Sequence, residues 1–383
     1  MSAAEPGGRS RRFHSLDNVR AILTVWLVLG HGMLPYATFR EGFVDPDQST
    51  VFDALFIYGY CLLVPSYLVL AGFFVGDLRH RVGWRDVLRN RVGRMLVPLL
   101  AIFPVIPPLT HVAVVFAKGA SRTGTLVGGW EKLERTRLFR VDIAYHLWFL
   151  LVMLLFCAIA VPVHAKWQAR APDSLERVRR AARLALSGPA APLALFGALA
   201  VPLAAIELVS VPALQYVLSL AVCFVFYGLG WALRSDEGLL DSLAKHAEGW
   251  IALSIVLAYV AVPATRDAVT GTDARLAVGP TAAAALGLMT SFGVLGFLGA
   301  VHRGLARPVG AMRFVSDASF WVYVTHLPLV VAFGGLLSVT DVPLALKPIL
   351  SVGGTLAVTL SSFVLLRGTG LGRFLGLPRC RRG

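Results

Sequence analysis

Two side chains that can do chemistry stand at the ends of one apolar run. In VRAILTVWLVLGHG, residues 19–32, ten residues separate Arg20 from His31. Eleven helical steps bring the two back to nearly the same face, roughly 16 Å apart along the axis. Polar groups inside an apolar span are costly, so each needs a reason. A guanidinium at the mouth of a span suits a phosphate or carboxylate. A neutral imidazole at mid-depth suits a general base near pH 7. Taken alone, such a histidine reads first as a hydrogen bond to a neighbouring helix.

This histidine is not alone. In RFVSDASFWVYVTHLPLVV (313–331), His326 lies about as deep in its run as His31 does in the first. AYHLWFLLVMLLF (144–156) opens another run with His146 beside Trp148, and His111 falls in the outer half of the third. Four histidines from four helices, at mid-depth or outside it, point to a polar cavity opening outward. Arginines gather at the other side. In WRDVLRNRVGRMLVPLL (84–100), Arg91 and Arg94 share a face at i and i+3, with Arg85 and Arg89 nearby. The excess of positive charge expected in cytoplasmic loops accounts for an arginine-rich loop by itself. Arg91 and Arg94, however, abut the apolar run, and with Arg20 they can hold the phosphates of a large anionic cytosolic ligand.

The elements that must position these groups follow from composition. Of 383 residues, 56% are hydrophobic and only 15% charged, with a mean hydropathy of +0.70. The apolar residues fall into blocks long enough to cross a bilayer as helices. The chain therefore reads as one all-α polytopic integral-membrane domain over 1–383. Ten transmembrane helices are expected near 21–36, 51–75, 95–117, 145–164, 190–210, 212–233, 250–265, 278–301, 315–338 and 344–366. With both termini cytoplasmic, 26 of the 36 Lys and Arg residues fall in segments 1–20, 77–94, 164–189, 234–249, 302–313 and 367–383. Six of the remaining ten lie in 118–143. The net charge of +14 is thus a topological signal, and no nucleic-acid partner is expected.

Several secondary readings accompany this one. The first run has the look of a signal peptide, but residues on both sides of it are needed, so it is expected to stay. Residues 165–188 form either an amphipathic helix on the inner surface or a solvated linker. Residues 118–145 form the one long outer segment, which either touches a polar substrate or simply connects two spans. Cys61, Cys157, Cys223 and Cys380 lack metal-ligand spacing and read as buried structural thiols. No metal site is expected, and no phosphate-binding Gly-Lys-Ser/Thr loop is present. Few acids lie within spans; Glu207 and Asp53 sit near span ends. An ion-coupled transporter would show more buried carboxylates. Pro104, Pro107 and Pro108 can break the third span, so a transporter or flippase of a glycan or lipid precursor is the second reading.

Five motifs in order resemble one family. LDNVRAILTVWLVLGH, YLVLAGFFVG (67–76), RVGRMLVP, HLWFLLVMLLF and ASFWVYVTHLPLVV are similar to motifs of the membrane acyltransferase-3 family, from about residue 12 to 367. Ala71 stands where that family usually has serine. Within the family the likeness runs toward the periplasmic glucan succinyltransferases. The resemblance implies a protein of the bacterial cytoplasmic (inner) membrane. It would take an acyl group, succinyl among the candidates, from a cytosolic acyl-CoA and deliver it to a hydroxyl of an extracytoplasmic glycan. No cofactor would be tightly bound, acyl-CoA being the donor substrate. It implies His31 as catalytic residue, either base or transient acyl carrier, with Arg20 at the donor and Asp17 orienting Arg20. Arg91, Arg94 and Arg89 would bind the donor's charged groups. His326, Tyr323, His146, Trp148 and His111 would line the cavity on the acceptor side.

Overall fold

The computed structural model describes residues 13–39, 43–136, 144–209, 211–236, 238–270 and 278–378. Every regular element among them is helical. This is what hydrocarbon demands, since a helix satisfies its backbone hydrogen bonds within one segment. The long helices are α1 (His14–Met33), α2 (Thr50–Arg81), α7 (Trp148–Arg170), α9 (Ala191–Leu208) and α10 (Pro212–Ser235). They continue with α11 (Gly238–Thr270), α12 (Pro280–Gly304), α13 (Gly310–Leu337) and α14 (Lys347–Leu366).

Nine spans among the described residues are long and apolar enough to cross a membrane by length and composition. The expected third span passes the same test only as a bent pair of helices, which brings the count to ten. It is divided into α3 (Trp84–Arg91), a π-helical turn Val92–Leu96, α4 (Val97–Ile102) and α5 (Ile106–Thr123), with a 46° bend between Trp84–Ile102 and Ile106–Thr123. The cause is covalent. Pro98 has no N–H to offer the Arg94 carbonyl four residues back, and Pro104, Pro107 and Pro108 break the ladder again at the bend.

Two other segments differ from expectation. The outer stretch 118–145 is largely helical: α5 runs to Thr123, and α6 (Leu126–Glu134) is capped by the Thr125 hydroxyl, which accepts from the Gly128 N–H at 3.2 Å. Residues 137–143 of that stretch lie outside the described residues, as does Cys380. The stretch 165–188 splits between the end of α7 and a separate helix, α8 (Pro172–Leu186), which buries only Leu175 and Leu186.

α1 packs among α2, α12, α13 and α14, and α13 is in turn flanked by α5 and α14. α2 lies close against α10 because glycines face backbone there. A Cβ on Gly72 would come within 1.9 Å of the Tyr227 carbonyl oxygen, and one on Gly230 within 1.9 Å of that of Val69. Without a hydrophobic drive between helices in lipid, such close approach is what holds them together. The two acids noted near span ends serve the backbone. Asp53 accepts from the Thr38 N–H and hydroxyl, both at 2.6 Å, and Glu207 accepts from the N–H groups of Val278 and Gly279.

Candidate active site

α1, α13 and the 3₁₀ turn Tyr145–Leu147 leading into α7 bring three imidazoles into contact. The His31 and His326 rings lie 4.9 Å apart, and His146 stands 4.9 Å from His326 on another side. Helical carbonyls set the tautomers. His31 Nδ1 faces the Leu27 carbonyl at 3.0 Å, so it carries the proton, and Nε2 keeps its lone pair. His326 Nδ1 likewise donates to the Tyr323 carbonyl at 2.7 Å, with Val322 O at 3.1 Å. That leaves His326 Nε2 as an acceptor, 3.4 Å from His31 Nδ1. His146 Nε2 donates to the Val324 carbonyl at 3.2 Å, and its Nδ1 has no partner. The Tyr323 hydroxyl ties α13 back to α7 by donating to the His146 carbonyl.

Two cavities flank this cluster. The outer one, about 570 Å³, is lined by His31, His111, His146, Trp148, Tyr145 and Lys118 among others. His111 Nδ1 is 3.1 Å from the Tyr145 hydroxyl, while its Nε2 is buried without a partner. Tyr145 holds φ = +45°, a conformation that side chains other than glycine rarely adopt, directly before His146. The second cavity, about 900 Å³, is lined by Arg20, Arg91, Arg94 and Arg373, with Asp317 as its one acid. Tyr67, Phe149 and Tyr323 line both cavities and form the wall between them. Their rings sit in series, Tyr67 6.1 Å from Phe149 and Phe149 6.3 Å from Tyr323. Thr24 anchors the Tyr67 hydroxyl at 3.1 Å.

The arginines are held by aromatic faces and carbonyls. The Arg20 guanidinium lies 4.5 Å over the Phe74 ring. Arg91 reaches the Phe74 carbonyl at 3.5 Å, and its Nε is buried without a partner, as is the Tyr227 hydroxyl. The π-helical turn carrying Arg94 adds a residue to that turn, a distortion that recurs at functional sites.

Most of the expected site residues line these cavities; His326 and Arg89 do not, and Asp17 stands near Arg20, which it was expected to orient. His326 is not a lining residue: it is 0% exposed and stands behind His31, because its ring is fastened to the backbone of its own helix. Arg89 lies outside the cavity, 86% exposed and 3.7 Å from Asp86, since it sits on the outward face of α3. Asp17 is buried on α1 one turn before Arg20 and does not line either cavity. Ala71 lines the arginine cavity, so no hydroxyl stands where serine is usual. Sequence reasoning missed Tyr67, Phe149, Tyr227 and Arg373. A tyrosine or phenylalanine in an apolar run carries no distinguishing signal, and Arg373 lay in a tail read only as basic.

The sequence profile of a family described as an acyltransferase domain matches residues 13–367. Glucans biosynthesis protein C of Shigella boydii serotype 4 is 24% identical over 154 residues, which is 40% of this chain and 39% of that protein. Glucans biosynthesis protein C of Salmonella paratyphi B is 24% identical over 169 residues, 43% of this chain and 42% of that protein. The chain thus spans about two fifths of the length of these curated relatives. No solved structure gives a significant match.

Proposed function

The chain belongs to the acyltransferase-3 family, and from that premise we propose that it is a membrane O-acyltransferase with a two-sided site. One observation carries the reading: an arginine-lined and a histidine-lined cavity end on the same three aromatic rings. The positive-inside bias supports setting the arginine cavity toward the cytoplasm of a bacterial inner membrane. An acyl-CoA enters there, its phosphates on the guanidiniums and its thioester reaching inward past the wall. The acceptor, a hydroxyl of an extracytoplasmic glycan, enters the outer cavity, where Trp148 and Tyr145 offer aromatic faces.

His31 Nε2, bare and facing the outer cavity, takes the proton of the acceptor hydroxyl as its oxygen attacks the thioester carbonyl. The imidazolium that forms is stabilised through its Nδ1–H, which lies between the Leu27 carbonyl and His326 Nε2. Collapse of the tetrahedral adduct breaks the carbon–sulfur bond. The thiolate of the donor leaves with the proton from His31, and an ester remains on the glycan. The separation of the cavities also suits a two-step route in which Nε2 carries the acyl group between them. Label retained on the protein when acceptor is withheld distinguishes that route.

Succinyl is the acyl group we put first. Lys118 lines the outer cavity with His31, where a second carboxylate on the acyl end, carried past the wall, would meet an ammonium. Membranes given radiolabelled succinyl-CoA should transfer label to glycan, and His31→Ala should reduce transfer by about 10²–10⁴-fold. Equal transfer by wild type and His31→Ala sinks the assignment.

A further inference from the structure

Residues 367–378, after α14, are not a loose tail. They include a short helix, α15 (Gly370–Phe374), capped by the Thr369 hydroxyl accepting from the Gly372 N–H at 3.0 Å. The segment then turns back, the Leu377 N–H donating to the Gly372 carbonyl at 2.9 Å. Leu375 and Leu377 are buried. Gly376 makes the turn at φ = +72°, and a Cβ there would meet the Arg94 carbonyl oxygen at 3.2 Å and Pro98 at 3.4 Å. The strap is thus seated on the carbonyl that Pro98 leaves without its helical partner. Arg373, Gly376, Leu377 and Pro378 become part of the wall of the arginine cavity.

The four cavity arginines divide by depth. Arg20 and Arg91 are half-buried, whereas Arg94 and Arg373 are exposed. Among the described residues, neither Arg94 nor Arg373 has an ion-pair partner. An acyl-CoA carries its charge in two places, a diphosphate on the pantetheine arm and a separate 3′-phosphate on the ribose. With the arm threaded inward, the diphosphate meets the deeper pair and the ribose stays at the mouth.

Resting on the acyl-CoA reading above, we infer that the C-terminal strap is a donor-binding element and that Arg373, which lines the same cavity as Arg94, receives the 3′-phosphate. The test uses the full-length protein in membranes with two donors, succinyl-CoA and its analogue lacking the 3′-phosphate, 3′-dephospho-succinyl-CoA. Arg373→Gln, which keeps most of the side-chain stem, should raise KM for succinyl-CoA by about tenfold or more. It should leave kcat within a factor of about two and leave KM for the dephospho donor unchanged. Arg373→Lys should recover part of the loss. An equal rise in KM for both donors, or a rise for neither, overturns the assignment while the acyl-CoA reading stands. If wild type uses neither donor, the acyl-CoA reading itself falls, and this inference with it. Should Arg373→Gln lower the thermal midpoint in detergent, Arg94→Gln carries the same donor comparison, and failure to discriminate the donors there overturns the pairing.

Discussion

His326 is the residue that separates positioning from contact, because it touches neither cavity. Replacing it with alanine leaves the surfaces for donor and acceptor in place and removes the acceptor facing His31 Nδ1. His326→Ala should lower kcat by about 10–100-fold, the scale on which orienting partners of a functional histidine act, with the donor KM unchanged. Steady-state transfer of labelled succinyl groups measures both constants; an unchanged kcat would remove His326 from the mechanism. The phase of Arg20 and His31 and the matching heights of His31 and His326 were legible in the sequence, since helical rise converts spacing directly into depth. Lateral placement was not. Spacing within α13 does not say that His326 Nε2 points at His31, nor that the ring is sealed from both cavities.

The wall of Tyr67, Phe149 and Tyr323 is built by α2, α7 and α13, and it shows how three helices jointly make one device. Phe149→Ala should open that wall, so that water meets the thioester before the acceptor does. The expected outcome is a several-fold rise in acceptor-independent hydrolysis of succinyl-CoA together with a fall in glycan ester, read by separating free acid from product. Unchanged hydrolysis would mean the wall does not shield the donor. The bend in the third span could be anticipated from Pro104, Pro107 and Pro108, whose missing N–H groups are visible in the letters. The π-helical turn at Val92–Leu96 could not: Pro98 frees a carbonyl, but which residues then bulge depends on the strap and neighbours packed against that turn. Likewise the basic composition of 367–383 gave the charge of the tail and nothing of its docking.

Across the whole molecule, the number and order of spans followed from hydropathy, while the contacts that lock them were hidden among unremarkable residues. Lys347 opens α14 yet is only 2% exposed on its side chain, bonded to the fully buried Asp45 at 2.9 Å and to Asp47 at 3.1 Å. Nothing in an isolated lysine at a span end announces such a clamp. Lys347→Met should cost about 3–5 kcal/mol by stranding the Asp45 carboxylate, and adding Asp45→Asn should recover most of it; unfolding in detergent reports both. Gly72→Ala should also destabilise, by at least about 1–3 kcal/mol, because the new methyl group meets the Tyr227 backbone rather than a side chain able to move. Its unfolding midpoint against wild type is the check. The shared aromatic wall has an electrical consequence as well. A passage wide enough for a thioester would conduct protons and sodium, driven by about 2.3 kcal/mol per charge for each 100 mV across the membrane. Three rings that part only around a pantetheine arm would let the protein hand over a chemical group without becoming a conductor. Planar bilayers holding Phe149→Ala should therefore leak current under an applied voltage, while wild type stays at baseline.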